Sequence, residues 1–155
     1  MLKKSFSTQT GGLRKILAFA LLAIAVIVLA GVLGRHSGQK GVKAATNEDR
    51  ISFIQSLGWE CGPGPAEEKR ILLPETFPEV LINYNALQLQ QGFDLTKYAG
   101  KEITMVTYTL LNYPVEDEVL CTLYLYKNRI IGGDIHSTAF TGFMRELHTI
   151  EEVSR

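Results

Sequence analysis

Cys121, Asp134 and His136 are the residues of this chain whose types could do chemistry together. Residues 119–126 and 129–136 read as two strands closing at Lys127 and Asn128, a two-residue turn that Asn128 suits because it tolerates positive φ. An unbroken ladder then pairs Tyr126 with Arg129, Cys121 with Asp134 and Val119 with His136, which puts the thiol, carboxylate and imidazole on one face. There they could serve as a nucleophile with its base, or as three metal ligands. Leu123, Leu125 and Ile130 share that face, so the preferred reading makes Cys121 a small buried apolar residue. Gly132 and Gly133 can also introduce a bulge that changes the parity of everything beyond it. Asp134 and His136 remain the candidate binding pair. Neighbouring glycines permit close backbone approach by a ligand there, although glycines in strands mark bulges more often than sites.

Other groups give weaker signals. Cys61 and Cys121 could pair as a disulfide, closing a loop worth about 4 kcal/mol in the chain-entropy model. Two free, partly buried thiols are preferred, since the sequence alone does not bring their Cα atoms within the ~7 Å that a bridge needs. Glu116, Asp117 and Glu118 lack the oxygen spacing of a calcium loop and read as solvated charge. Trp59, the single tryptophan, reads as core. Nothing matches a phosphate loop, a zinc cluster or a serine nucleophile elbow, so no cofactor and no metal are expected.

The elements that must position these residues form an α+β head, residues 47–147, large enough for one core. Asn47 is the expected N-cap of a first helix, with Glu48 and Asp49 in its first turn and Ile51, Ile54 and Leu57 on one stripe before Gly58. Trp59 could enter a short strand before the Gly62, Pro63, Gly64, Pro65 loop, and residues 70–73 look like another. A second helix runs from Pro78 to Gln91, with Val80, Leu81, Tyr84 and Leu87 at helical spacing and Gly92 as its stop. Phe93, Leu95 and Tyr98 suggest a short turn packed back on the core. The period then becomes extended over residues 101–112 and the hairpin. Two main helices on an antiparallel sheet of three to five strands is the expected architecture.

Residues 16–34 (ILAFALLAIAVIVLAGVLG) contain no charged, polar or proline residue. Nineteen helical residues cover roughly 28 Å, close to the ~30 Å hydrocarbon core of a bilayer. The run is longer than a cleavable signal needs, so an uncleaved transmembrane helix is expected, with the lipid bilayer as its partner. Lys3, Lys4, Arg14 and Lys15 precede it, which favours residues 1–15 as a short cytoplasmic tail and the head as extracytoplasmic. Residues 35–46 read as a flexible stalk, and residues 148–155 as a tail that frays unless the head captures Ile150 or Val153. All sixteen Asp and Glu residues lie at Glu48 or later. The head is therefore net acidic, which disfavours nucleic acid as a partner.

GWEC at residues 58–61, NYNALQLQQGFDLTKYAGKEI at 83–103, TYTLLNYP at 107–114 and RIIGGDI at 129–135 together resemble the bacterial family called domain of unknown function 4830. The resemblance covers most of the head and implies a small extracytoplasmic module behind an N-terminal membrane segment. It implies no reaction and no catalytic residues. Cys61 and Cys121 depart from what it implies, so neither carries a family-wide role.

Two function classes follow. The preferred one is a membrane-tethered binding or protein-interaction module, meeting an envelope protein, peptide or cell-wall ligand, with an exposed sheet edge as one means. The alternative is an anchored hydrolase or metal-dependent enzyme using His136 and Asp134. A concave pocket with a perturbed histidine would favour the alternative.

Overall fold

The computed structural model describes residues 41–153. The expected cytoplasmic tail (1–15), the transmembrane helix (16–34) and the first half of the stalk lie outside the described residues. Among the described residues no helix is long and apolar enough to cross a membrane.

Helix α1 (Asn47–Ser56) starts at Asn47, the residue expected to cap it. Thr46 is the N-cap, because Thr46 and Asp49 form a reciprocal capping box: Asp49 N donates to Thr46 Oγ1 at 3.2 Å and Thr46 N donates to Asp49 Oδ2 at 3.2 Å. The side chain of Asn47 is engaged elsewhere, accepting from the Tyr108 hydroxyl at 2.9 Å and donating to Pro63 O at 2.9 Å. Strand β1 (Glu67–Leu72), helix α2 (Glu79–Gln90) and a 3-10 turn (Leu95–Tyr98) follow. Strands β2 (Glu102–Leu110), β3 (Val119–Tyr126), β4 (Arg129–Ser137) and β5 (Met144–Arg145) precede a final helical turn, α3 (Ile150–Val153). The sheet has five strands in the order β1-β2-β3-β4-β5, every neighbouring pair antiparallel. Trp59 belongs to no strand; pairing is instead made by Cys61, opposite Leu110.

Side chains alternate across the sheet and build a core on each face. Val106, Tyr108 and Leu110 of β2 and Val119, Cys121, Leu123 and Leu125 of β3 face one way, against Ile54 of α1 and Trp59. Ile103 of β2 with Tyr124 and Tyr126 of β3 face the other way, against Leu73, Leu95 and Tyr84 of α2. The two helices thus lie on opposite faces.

Two boundaries differ from the sequence expectation. Residues 41–46 are part of the head: Ala44 is fully buried, its N donates to Asn128 O at 2.9 Å, and Ile130 N donates to Val42 O at 2.9 Å. Lys43 bridges Arg129. These residues look like a stalk only because backbone pairing requires no apolar side chains. At the other end the head captures the tail, since Ile150 N donates to Leu57 O at 2.9 Å and Ile150 and Val153 pack on the first core.

The hairpin turns at Lys127 (φ 48) and Asn128 (φ 60), both left-handed, as a two-residue turn requires. A bulge falls at Ile131, beside Gly132 and Gly133. A Cβ on Gly132 would lie 2.8 Å from Gln88 Oε1, and one on Gly133 would lie 2.5 Å from the Thr122 carbonyl oxygen. Because that oxygen is backbone and cannot swing away, Gly133→Ala should cost about 2 kcal/mol by overpacking. Denaturant unfolding of the variant checks this, and an unchanged midpoint would contradict it.

Candidate functional site

The site follows from the bulge. Leu125 faces Ile130, but Tyr124 already faces Gly132, leaving Ile131 without a cross-strand partner. From there Thr122 faces Asp134, Cys121 faces Ile135 and Leu120 faces His136. The alignment of an unbroken hairpin is therefore displaced by one residue, and the joint face of Cys121, Asp134 and His136 does not form. Cys121 points into the α1 core, fully buried, and burial pushes its thiol far above the usual range. Asp134 and His136 point to the α2 side.

Cys61 and Cys121 are both free. Strand β2 lies between them, Cys61 opposite Leu110 and Cys121 opposite Tyr108. Two strand spacings of about 4.8 Å each exceed the ~7 Å a disulfide tolerates.

Asp134 is only 1% exposed. Its Oδ2 accepts from the Tyr84 hydroxyl, and its Oδ1 lies 2.7 Å from His136 Nδ1. An ionised carboxylate only accepts, so Nδ1 carries the proton and Nε2 is the ring atom left over. The hydrogen bond that His136 donates to Asp134 raises the His136 pKa above its ordinary 6.5, outweighing partial burial, which lowers it. Burial first, and then the Asp134 charge, push the Tyr84 phenol far up, so it stays a donor. Tyr124 meets the Tyr84 ring edge-on at 6.0 Å. A carboxylate-oriented imidazole of this kind can accept a proton. The thiol that would complete it lies on the other face, and among the described residues no three His, Cys, Asp or Glu side chains are grouped to hold a metal.

Helix α2 explains what surrounds this relay. Its buried residues are polar, Asn85 and Gln88. Asn85 Oδ1 accepts from Leu95 N at 2.8 Å. Gln88 takes both backbone groups of Gly133, accepting from its N at 2.9 Å and donating to its O at 3.0 Å. Gln91 adds a second bond to Gly133 O at 2.9 Å and accepts from Leu147 N at 3.0 Å. The polar face is inward because it covers the unpaired edge of β4 between residues 42–44 and β5. The apolar stripe expected to fill a core is only partly buried: Val80 is 73% exposed, Leu81, Tyr84 and Leu87 are half-buried, and the four form one wall of an open groove of 590 Å³. Tyr124 and Met144 complete it. Tyr84 belongs to both structures, its ring lining the groove and its hydroxyl fixed on Asp134.

Trp59 is a core residue, stacked on Tyr113 at 4.9 Å with its Nε1 donating to His148 O at 2.8 Å. Glu116, Asp117 and Glu118 are exposed in the loop before β3. Sequence reasoning missed Tyr84 as a partner of Asp134. It also missed the Asn85, Gln88, Gln91 series, whose three-residue spacing was the available signal.

These features define a small α+β domain with a five-stranded antiparallel meander, a buried Tyr–Asp–His relay and an open apolar groove. The family model described as domain of unknown function (DUF4830) matches residues 53–135, more than half of the chain, and the chain belongs to that family. The match contains Tyr84, Gln88, Gly133 and Asp134. No curated protein and no solved structure matches the chain.

A histidine whose folded pKa is raised contributes stability that is complete below its unfolded value, near 6.5, and disappears as pH rises through the raised value. Stability should therefore fall over that interval above pH 6.5 in the parent and not in His136→Gln. Asp134→Asn should move the His136 titration, followed by NMR, back toward 6.5. A titration unchanged by Asp134→Asn would refute the assignment.

Proposed function

We propose that the protein is a membrane-anchored binding module. In this reading residues 16–34 cross the bilayer with residues 1–15 in the cytoplasm, and the extracytoplasmic groove beside α2 takes up an amphipathic helical segment of an envelope protein. The observation that carries the proposal is α2, whose buried residues are the polar Asn85 and Gln88 and whose Val80, Leu81, Tyr84 and Leu87 line an open groove. The groove volume falls within the range of ligand sites, and apolar residues at helical spacing suit a helix laid in a groove. Tyr84 is already fixed by Asp134, which lowers the ordering cost of binding.

Strand addition is less favoured than the sequence suggests. One edge is the two-residue β5 and the longer one is β1, where Glu67, Glu68, Lys69 and Arg70 are all exposed, the charged composition that discourages edge pairing. The feature favouring the enzymatic alternative, a hydrolase or metal-dependent enzyme at Asp134 and His136, is the oriented imidazole. It still requires a nucleophile or further ligands, which Cys121 cannot supply from the opposite face.

A photoreactive amino acid replacing Val80 should crosslink a partner in intact cells, and Leu87→Asp should abolish the product, whereas His136→Gln should leave it. Equal crosslinking from a reporter at Lys69, on the β1 edge, would count against the groove. For topology, Ser37→Cys in a Cys61→Ala background, with Cys121 buried, should react with a membrane-impermeant maleimide in intact cells. Protection that ends on lysis would place the head inside.

A further inference from the structure

A second recess, of 170 Å³, lies where four segments of the head converge: Gly41 and Val42, Phe53 and Leu57 of α1, Gln91 and Phe93 just after α2, and Leu147 after β5. It shares no lining residue with the groove. Its polar groups are already engaged. The one polar side chain in the lining is that of Gln91, whose Nε2 donates to Gly133 O at 2.9 Å and whose Oε1 accepts from Leu147 N at 3.0 Å. Phe93 N donates to Gln88 O at 3.0 Å, Gly41 O accepts from Arg129 Nη1 at 2.8 Å, and Val42 O accepts from Ile130 N at 2.9 Å. Among the described residues no charged side chain lines the recess.

A water molecule in a recess is held by about two to four polar partners, which this lining does not offer. Water there is loosely held, and an apolar group that displaces it gains free energy. The rest of the lining is hydrocarbon, from Phe53, Phe93, Leu57, Leu147 and Val42. A cavity of about 150 Å³ with such walls accommodates one benzene. The 170 Å³ found here therefore suits a single ring or a branched chain of similar size. Val42 is 46% exposed, so the recess reaches the surface beside it and a ligand can enter there.

We propose that this recess is a binding site for a small uncharged hydrocarbon ligand, no larger than a single six-carbon ring. The site depends neither on the groove being a docking surface nor on residues 16–34 being an anchor. A ligand in it packs against Gln91 and Leu147, the residues that tie α2 to Gly133 and to the chain after β5, and so stabilises the folded head by mass action.

The test uses the full chain in phosphatidylcholine nanodiscs, with methyl-labelled leucine read by NMR and benzene supplied at fixed vapour pressure. The Leu57 and Leu147 methyl resonances should shift along one common saturation curve as benzene is raised. Benzoate, with the same ring and a charge, should leave them in place. Val42→Phe adds a ring to the recess from a residue whose tie to Ile130 is made by backbone, and it should abolish the benzene shifts in a spectrum that stays dispersed. Should that variant lose its dispersion, Phe53→Leu decides instead: the widened recess should take p-xylene in preference to benzene, the reverse of the parent. Shifts that rise without saturating, that saturate equally with benzoate or that persist in folded Val42→Phe overturn the site. So does a size preference unaltered by Phe53→Leu.

Discussion

The paired hydrogen bonds between Gln88 and the backbone of Gly133 are the constraint on which the arrangement depends. Strand β4 has a long outer edge, and only its two ends are met by backbone, residues 42–44 at one and β5 at the other. The stretch between them would leave buried peptide groups without partners, at a cost of about 1–3 kcal/mol each. A glutamine amide carries one donor and one acceptor in the same plane and so substitutes for a strand over one residue. For it to come that close Gly132 must lack a side chain, while Gly133 must lack one because of the Thr122 carbonyl oxygen. The bulge that accompanies the pair turns Asp134 and His136 toward α2 and leaves Cys121 in the opposite core.

From this one contact the character of the second helix follows. With Asn85 and Gln88 turned inward, α2 lines the groove with Val80, Leu81, Tyr84 and Leu87. Asp134 lies at the junction, binding the Tyr84 hydroxyl on the groove side and His136 on the other. The protonation of the histidine is thus linked through a buried carboxylate to an aromatic wall of the groove.

Much of the fold was legible because it is written in local chemistry. The β3–β4 turn follows from the tolerance of Asn128 for positive φ, and β3 from its alternation of side chains. The stripe at Val80, Leu81, Tyr84 and Leu87 correctly marked a helix, but periodicity reports that one face is apolar and not which way it points. The direction was decided by hydrogen bonding to a strand more than forty residues away. Likewise Thr46 displaced Asn47 as cap because Tyr108, distant in sequence, engages the asparagine. The pairing of Asp134 and His136 was legible from their two-residue spacing and is realised as a hydrogen bond, whereas their separation from Cys121 depends on a one-residue bulge that the glycines permitted but did not require.

The clamping of β4 by both ends of the domain bears on how the chain matures. Residues 42–44 leave the ribosome first, yet their partners at 128–130 are made more than eighty residues later, and β5 later still. Until then β4 lacks its outer neighbours and α2 has no edge to satisfy, so sheet closure must follow synthesis of nearly the whole domain. Such non-local pairing is intrinsically slow. An emerging head of this topology would have to be kept from premature association until its last strand is available.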